Sequence, residues 1–109
     1  MREITSTDII KTGLINSCVN FDAKSFIPFL MSQNVQTGMP NKIRFYQFFK
    51  QMIDCSKEGS IGKLTPKMEM NNSKTKKYLN FYDETHKHPR LSIEIKETEN
   101  TIYIDTLPF

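Results

Sequence analysis

The sequence predicts an α+β fold in which helices come first and an antiparallel meander of strands follows. Up to about residue 59, apolar residues recur every three or four positions, which is the period of a helix with one buried face. From residue 61 onward they alternate with polar residues, which is the period of a strand buried on one side. The 109 residues suit one domain over 1–109, and 38% apolar residues, including eight Phe and four Tyr, are enough for a core.

Ser6 or Thr7 can cap a first predicted helix, which Asn20 and Asp22 interrupt. Its apolar residues lie at the spacing of a single helix face and are Ile10, Leu14, Ile15, Cys18 and Val19. Because that spacing places them on one side, this side should face a core.

A shorter second helix should begin after Asp22, which can cap it. Its apolar positions follow the same template and are Ala23, Phe26, Ile27, Leu30 and Met31. Pro28 lies inside this segment and should kink or shorten the helix, because proline lacks an amide hydrogen and its ring clashes with the preceding turn.

The third helix should contribute most to the core, because its apolar stripe is the strongest in the chain. This stripe consists of Phe45, Phe48, Phe49, Met52 and Ile53. Pro40 suits the first turn of the helix, where an amide hydrogen would be unpaired anyway. Gly59 is a natural C-terminal stop.

Four strands should follow the third helix. Their alternating apolar residues are Leu64, Pro66, Met68 and Met70 in the first, Leu79 and Phe81 in the second, Leu91, Ile93 and Ile95 in the third, and Ile102 and Ile104 in the fourth. Since proline cannot donate a hydrogen bond to a neighbouring strand, Pro66 confines the first strand to a sheet edge or a bulge. We therefore expect a four-stranded meander that is apolar on one face.

The pairing of the second and third strands follows from keeping apolar residues on the same face, because a slip of one residue turns every side chain over. This rule places Phe81 opposite Leu91, and it leaves Tyr82 opposite Arg90 on the other face.

The same rule gives a pairing for the last hairpin. A four-residue loop over residues 97–100 places Ile95 opposite Ile102 and Ile93 opposite Ile104. A three-residue loop would mix the two faces.

The second face of the expected sheet is polar but rich in tyrosine. It carries Tyr78, Asn80, Tyr82, Arg90, Ser92, Glu94, Tyr103 and Asp105. Tyrosine is amphipathic and enriched at protein interfaces, so Tyr78, Tyr82, Glu94 and Tyr103 are our candidates for a homodimer contact. The alternative is an ordinary solvated face.

The turn before the third strand concentrates both histidines. His86 and His88 lie two residues apart, and Asp83 or Glu84 could add an oxygen ligand to a metal site. A histidine general base is possible for the same residues. Pro89 marks a turn, and the expected pairing places these residues in a loop. A solvated turn is the alternative, and we favour it.

Two cations begin the third helix. Lys42 and Arg44 stand where free amides and the helix dipole attract an anion, so a phosphate or carboxylate could bind there. An exposed pair with no ligand is the alternative. The chain's net charge of +3 is too small to indicate a nucleic-acid partner.

The cellular compartment that we expect depends on two absences from the sequence, namely of targeting signals and of metal-binding cysteine motifs. No apolar segment resembles a signal peptide, and no run of 18 apolar residues occurs. Cys18 and Cys55 belong to no CxxC or zinc pattern, so we expect buried, reduced thiols. We expect a soluble cytoplasmic protein without a membrane partner or cofactor.

The order of elements resembles the nuclear transport factor 2-like superfamily, whose fold is the cystatin-like α+β roll. The resemblance rests on NFDAKSFIPFLMSQNVQTGMPNKIRFYQFFKQMI, which is similar to the family's order of helix, small-residue joint, helix, first strand and helix leading into the sheet. It covers nearly the whole chain. The connector over residues 32–39 is short and leaves room for at most a brief first strand, so the N-terminal hairpin of larger members should be reduced or absent.

The resemblance implies a curved four-stranded sheet that wraps the third helix as a cone with room for a small apolar ligand. The candidates to line that pocket are Phe26, Phe45, Phe49, Met52, Leu79, Phe81 and Ile93. Ordinary core packing is the alternative for these side chains. Members of the superfamily include isomerases, cyclases, dehydratases and transport factors, but no catalytic residue of theirs carries over to a position here.

These observations favour a noncatalytic binding or interaction domain, homodimeric through the tyrosine-bearing face. The alternatives are an isomerase-like or cyclase-like enzyme or carrier for an apolar metabolite, and a protein that escorts another. An enzyme needs a cavity with an ionisable group inside it, whereas an interaction domain needs a filled cone. Asp22 and Asp54 lie at helix ends, away from the apolar stripes, so the sequence offers no clear general base.

Overall fold

A computed structural model describes residues 6–38 and 41–106 and shows an α+β fold with helices packed on a mixed sheet. In chain order the elements are α1 (Ser6–Val19), a 3-10 turn (Ala23–Phe26), α2 (Ile27–Leu30), β1 (Val35–Thr37), α3 (Lys42–Gly59), β2 (Thr65–Met70), β3 (Lys77–Tyr82), β4 (Pro89–Glu97) and β5 (Ile102–Thr106). Within the described residues, no helix is long and apolar enough to cross a membrane.

The sheet has five strands in the order β1-β5-β4-β3-β2, so the prediction of four strands is wrong. The additional strand, β1, runs parallel to β5 and pairs Val35 with Ile102, both of them buried. β1 is the brief first strand for which the connector left room. Three residues are too few to show an alternating pattern, and therefore the sequence did not identify it.

The helices confirm most of the predicted stripes. In α1, Ile10, Leu14 and Cys18 are buried. Pro28 shortens the second helical segment, which consists of the 3-10 turn followed by only four residues of α2. Met31 lies after the end of α2 and is 63% exposed, so its predicted burial is wrong.

The longest helix, α3, supplies the centre of the core. Phe45, Phe49, Met52 and Ile53 are buried, whereas Phe48 is 41% exposed, contrary to prediction, with the Arg44 guanidinium 5.4 Å from its ring centre. Pro40 lies outside the described residues.

The start and end of α3 are defined by Asn41 and Ser60. The side chain of Asn41 accepts a hydrogen bond from the backbone N–H of Arg44 at 2.9 Å and so caps the helix. Gly59 is the last helical residue, as expected, and Ser60 follows in an extended conformation.

The two cysteines have different surroundings. Cys18 is buried and Cys55 is exposed, and both are free thiols. The prediction of two buried thiols is therefore correct for Cys18 and wrong for Cys55, which lies on the solvent side of α3. Burial raises the pKa of the Cys18 thiol, because the thiolate would lose its hydration.

The predicted pairing of β3 and β4 is confirmed up to Phe81, which lies opposite Leu91. Beyond that point the register shifts, and Tyr82 pairs with Pro89 instead of Arg90. Arg90 is the extra residue of a β-bulge, which turns its side chain away from the expected position.

The predicted pairing of β4 and β5 is wrong by two residues. Ile95 lies opposite Ile104, and the backbone N–H of Thr98 donates to the carbonyl of Thr101 at 2.8 Å, so only Glu99 and Asn100 form the tip. A shift of two residues preserves both faces, and therefore the alternation alone cannot exclude it.

β2 lies at the edge of the sheet, as Pro66 predicted. Its apolar side chains Met68 and Met70 are 42% and 53% exposed, although Met68 lies opposite the buried Leu79. The helices therefore cover the middle of the sheet more completely than this edge.

Candidate functional site

The sheet presents one face to the helices and the other away from them. We call these the inner and outer faces. A single core cluster joins the helices to the inner face, where the strand side chains Leu79, Phe81, Leu91, Ile93, Ile95, Ile102 and Ile104 are buried. The outer face carries Gln36, Lys67, Glu69, Tyr78, Asn80, Tyr82, Ser92, Glu94, Lys96, Tyr103 and Asp105.

All four predicted interface residues lie together on the outer face. Tyr78, Tyr82, Glu94 and Tyr103 are each half-buried by their neighbours on adjacent strands. Tyr78 is paired directly with Glu94 across β3 and β4. The structure thus brings these four side chains together on one surface, and their use as an interface stays a prediction.

A hydrogen-bonded chain of side chains crosses this face from β2 to β4. The Glu69 carboxylate accepts from the Tyr82 hydroxyl and, at 2.8 Å, from the Asn80 side-chain amide. The Asn80 carbonyl accepts from the Ser92 hydroxyl at 2.7 Å. These bonds fix four side chains in one arrangement before anything binds.

The same bonds shift two pKa values in opposite directions. Donation by Tyr82 and then by Asn80 lowers the pKa of the Glu69 carboxyl, because both bonds favour its charged form. The bond to Glu69 raises the pKa of the Tyr82 hydroxyl, since losing that proton would place two negative charges side by side. At neutral pH Glu69 is therefore ionised and Tyr82 is a neutral donor.

A second tyrosine is held at the other side of the outer face. The Tyr103 hydroxyl donates to Asp105 at 3.2 Å, and burial followed by the nearby Asp105 charge raises the pKa of Tyr103. Gly38 approaches these two side chains so closely that a Cβ at this position would overlap both. The absence of a side chain at Gly38 therefore leaves room for the Tyr103–Asp105 pair.

A shallow groove of about 440 Å³ runs along this part of the outer face. The side chains of polar and charged residues line it, namely Gln36, Lys76, Glu94, Lys96, Thr98, Thr101 and Tyr103. Sequence reasoning did not include Lys76, Lys96 or Glu69 in the site. The alternation of Thr65, Lys67 and Glu69 was visible, but the role of Glu69 depends on the pairing of β2 with β3.

The predicted pocket-lining residues lie in the core. Phe26, Phe45, Phe49, Met52, Leu79, Phe81 and Ile93 are at most 5% exposed and all belong to the core cluster. Phe49 packs against Phe26 and Phe45, with ring centres 5.5 and 5.7 Å apart. None of the seven lines the groove on the outer face or the smaller concavity of about 220 Å³ on the solvent side of α3.

The loop with both histidines is organised around the buried carboxylate of Asp83. Asp83 is fully buried, and its carboxylate accepts from the Thr85 hydroxyl at 2.5 Å, the Ile61 backbone N–H at 3.0 Å and Arg90 at 2.8 Å. These bonds, that from Thr85 foremost, hold the pKa of Asp83 well below its usual range.

His86 and His88 are exposed on this loop, and His86 has a positive φ of 54°. Within residues 6–38 and 41–106, no group of three or more His, Cys, Asp or Glu side chains could hold a metal ion. The bulge at Arg90 explains the loop's geometry, because it turns this cation toward Asp83.

Each cation at the start of α3 has a contact within the chain. Lys42 donates to the carbonyl of Ser32 at 2.7 Å, and its partial burial lowers the pKa of its ammonium group. Arg44 donates to Gln47 at 3.2 Å and stacks over Phe48. Anion binding here stays a prediction, and these contacts account for both cations without a ligand.

Comparison with known proteins provides no further assignment: no family model matches the chain, and no curated protein or solved structure shows significant similarity to it.

Proposed function

We propose that this protein is a noncatalytic interaction domain that forms a homodimer through the outer face of its sheet. The observation that carries the proposal is the outer face itself, where three tyrosines and a preformed hydrogen-bonded chain lie opposite the helices. Tyrosines lose little conformational entropy on binding when neighbouring strands already restrict them. Such a surface is suited to a partly wet protein contact.

The packing of the core supports this role over an enzyme or carrier for an apolar metabolite. The residues that would line a ligand pocket fill the space between α3 and the sheet with their own side chains. Asp83 is the buried carboxylate among the described residues. Its oxygens already accept hydrogen bonds from Thr85, Ile61 and Arg90. A general base would need a lone pair directed at a substrate.

The membership of the nuclear transport factor 2-like superfamily is part of this proposal. The order of two helical segments, a brief strand, a long helix and a meander supports it, as does the packing of α3 across β1, β4 and β5. In such a roll the outer sheet face often makes a dimer.

The proposal is tested by placing two lysines on the outer face. The double variant Tyr78→Lys and Tyr103→Lys adds charge at the centre of the surface, and we expect it to be monomeric where the unmodified protein is dimeric. Sedimentation velocity measures the assembly state, and native mass spectrometry reports bound molecules at the same time. A matched control, Asn16→Lys with Gln51→Lys, adds the same charge at exposed helix positions and should stay dimeric.

Two results would count against the proposal. An unchanged assembly state in a folded tyrosine double variant would show that the outer face is not the contact. Retention of a ligand of a few hundred daltons by the unmodified protein would instead favour the carrier or enzyme alternative.

A further inference from the structure

The strand register arranges the charged residues of the outer face in rows that run across the strands. One row is formed by the direct pairings of Glu69 with Tyr78, Tyr78 with Glu94, and Glu94 with Asp105. We call these four residues the acidic row. It holds three carboxylates and no cation.

The neighbouring row has the opposite charge. Lys96 pairs with Tyr103, and Tyr103 pairs with Gln36 on β1. Lys76, which precedes β3 by one residue, lines the same groove as Lys96. We call Lys76, Lys96, Tyr103 and Gln36 the basic row, and it contains two cations and no carboxylate.

Glu69 and Asp105 accept hydrogen bonds within the chain, whereas the charges of Glu94 and Lys96 are only weakly compensated there. The Tyr103 hydroxyl donates to Asp105 at 3.2 Å, but the ion pair between the rows, from the Lys76 ammonium to Glu94, is 4.0 Å long. The side chain of Lys96 has no ion pair or hydrogen bond among the described residues. Glu94 keeps only 18% of its side chain exposed, so its charge is partly desolvated. A partner that supplies opposite charge to both rows would therefore be stabilised.

We infer that a second copy of this chain docks on the outer face about a two-fold axis that runs across the strands, between the acidic and basic rows. This inference rests on the proposed homodimer and specifies its register. Rotation about this axis reverses the direction of every strand. Residue i of a strand in one copy therefore lies over residue i+2 of the same strand in the other copy. The rotation places Glu94 of each copy over Lys96 of the other, and Asp105 over the hydroxyl of Tyr103.

The row pattern favours a second copy over a partner of one charge. An acidic peptide would meet Glu69, Glu94 and Asp105, and a basic segment would meet Lys76 and Lys96. Only a surface with the same two rows in the reverse order satisfies both, and two-fold symmetry supplies that surface from the chain itself.

The size of the face predicts a reversible dimer. Five strands about 4.8 Å apart, each contributing about six residues of 3.3 Å, give a footprint of roughly 500 Å² per copy, at the low end for specific interfaces. Association should therefore depend on concentration, and it should weaken as salt screens the charged rows.

The register is tested by reversing one charge in each row. Lys96→Glu and Glu94→Lys each place like charges opposite each other twice in the dimer, so we expect either to raise the dimer Kd at least about tenfold at low salt. The chain carrying both changes restores the opposite charges, and its Kd should return to within about threefold of the unmodified value.

Mixing the two single variants separates contacts between chains from effects within one chain. A heterodimer of the Lys96→Glu and Glu94→Lys chains has opposite charges at both contacts, so native mass spectrometry of the mixture should show the mixed dimer exceeding both homodimers. The controls Lys63→Glu and Glu58→Lys reverse exposed charges away from the outer face and should leave the Kd unchanged. Circular dichroism checks that every variant is folded.

The outcomes separate the register from the proposed function. If the single reversals leave the Kd unchanged while Tyr78→Lys with Tyr103→Lys dissociates the dimer, the outer face is the interface but this register is wrong. Failure of the mixed dimer to exceed the homodimers also overturns the register. A monomer for the unmodified chain at several hundred micromolar overturns the homodimer itself.

Discussion

The inner and outer faces of the sheet are built from the same strands but are stabilised in different ways. On the inner face, Leu79, Phe81 and Ile93 are removed from water almost completely. On the outer face, the half-buried Asn80 and Ser92 form a directed hydrogen bond. Burial of apolar area contributes most of the stability of a fold, whereas each hydrogen bond contributes little net free energy. The inner face therefore determines the fold, and the outer face can be specialised for contact.

Removing a ring from the core should have the largest effect. Phe49 is fully buried and packs against Phe26 and Phe45, so Phe49→Ala should reduce the free energy of unfolding by about 3–5 kcal/mol. Phe48→Ala, one residue away on the same helix, removes a ring that is 41% exposed and should cost less than about 1.5 kcal/mol. Denaturation in urea measures both, and similar losses would show that the core is not packed as described.

The core positions in α3 and the pairing of β3 with β4 could be predicted from the sequence, because both carry dense apolar patterns. Phe45, Phe49 and Met52 lie where a period of 3.6 places them, and Leu79 faces Ile93 as the alternation requires. Periodicity could not predict β1, since three residues show no period, and only the family resemblance left room for a brief strand there.

The outer face was predictable only in part. Alternation placed Tyr78 and Tyr103 on it, but the hydrogen-bonded chain depends on which residues of β2 lie beside β3. Arg90 was assigned to the outer face because a regular alternation places it there, whereas the bulge turns it toward Asp83. The prediction of the β4–β5 register was wrong for a different reason. Two pairings give identical faces, and the backbone hydrogen bond between Thr98 and Thr101 decides between them.

Substitution of Asp83 tests whether its buried charge is stabilised by the hydrogen bonds and the ion pair that surround it. Asp83→Asn keeps the shape of the side chain but removes the charge that faces Arg90, and we expect the melting temperature to fall by roughly 10 °C. The matched control is Asp54→Asn, which removes an exposed carboxylate 3.2 Å from Lys50 and should change the melting temperature by no more than about 2 °C.

The pH dependence of stability should change in the same variant. The pKa of Asp83 is lowered in the folded chain from the ordinary value of 3.8, so in acid the unfolded chain binds this proton first. The stability that Asp83 contributes is present above the unfolded pKa and is lost as the pH falls through that value toward the folded one. Urea denaturation from pH 6 to pH 2.5 should therefore show a shallower acid loss for Asp83→Asn, and equal slopes would contradict the role of this carboxylate.

The smallest effect is expected from the hydrogen-bonded chain of the outer face. Glu69→Gln removes the charge but leaves an oxygen that can still accept from Asn80 or Tyr82, so the melting temperature should fall by only about 2–3 °C. The change in the pKa of Tyr82 should be clearer than the change in melting temperature. This pKa is raised chiefly by Glu69 and should return toward 10.0 when that charge is removed. Ring carbon resonances in an NMR titration follow each tyrosine separately.

Glu99→Gln at the tip of the last hairpin is the matched control for this variant, since it removes one exposed carboxylate far from Tyr82 along the sheet. It should leave the titration of every tyrosine unchanged. A Tyr82 resonance that titrates at the same pH in Glu69→Gln and in the unmodified chain would show that this chain of bonds does not persist in solution. A shifted titration would mean that the side chains of this surface are already arranged within a single chain, which is what the proposed homodimer contact requires.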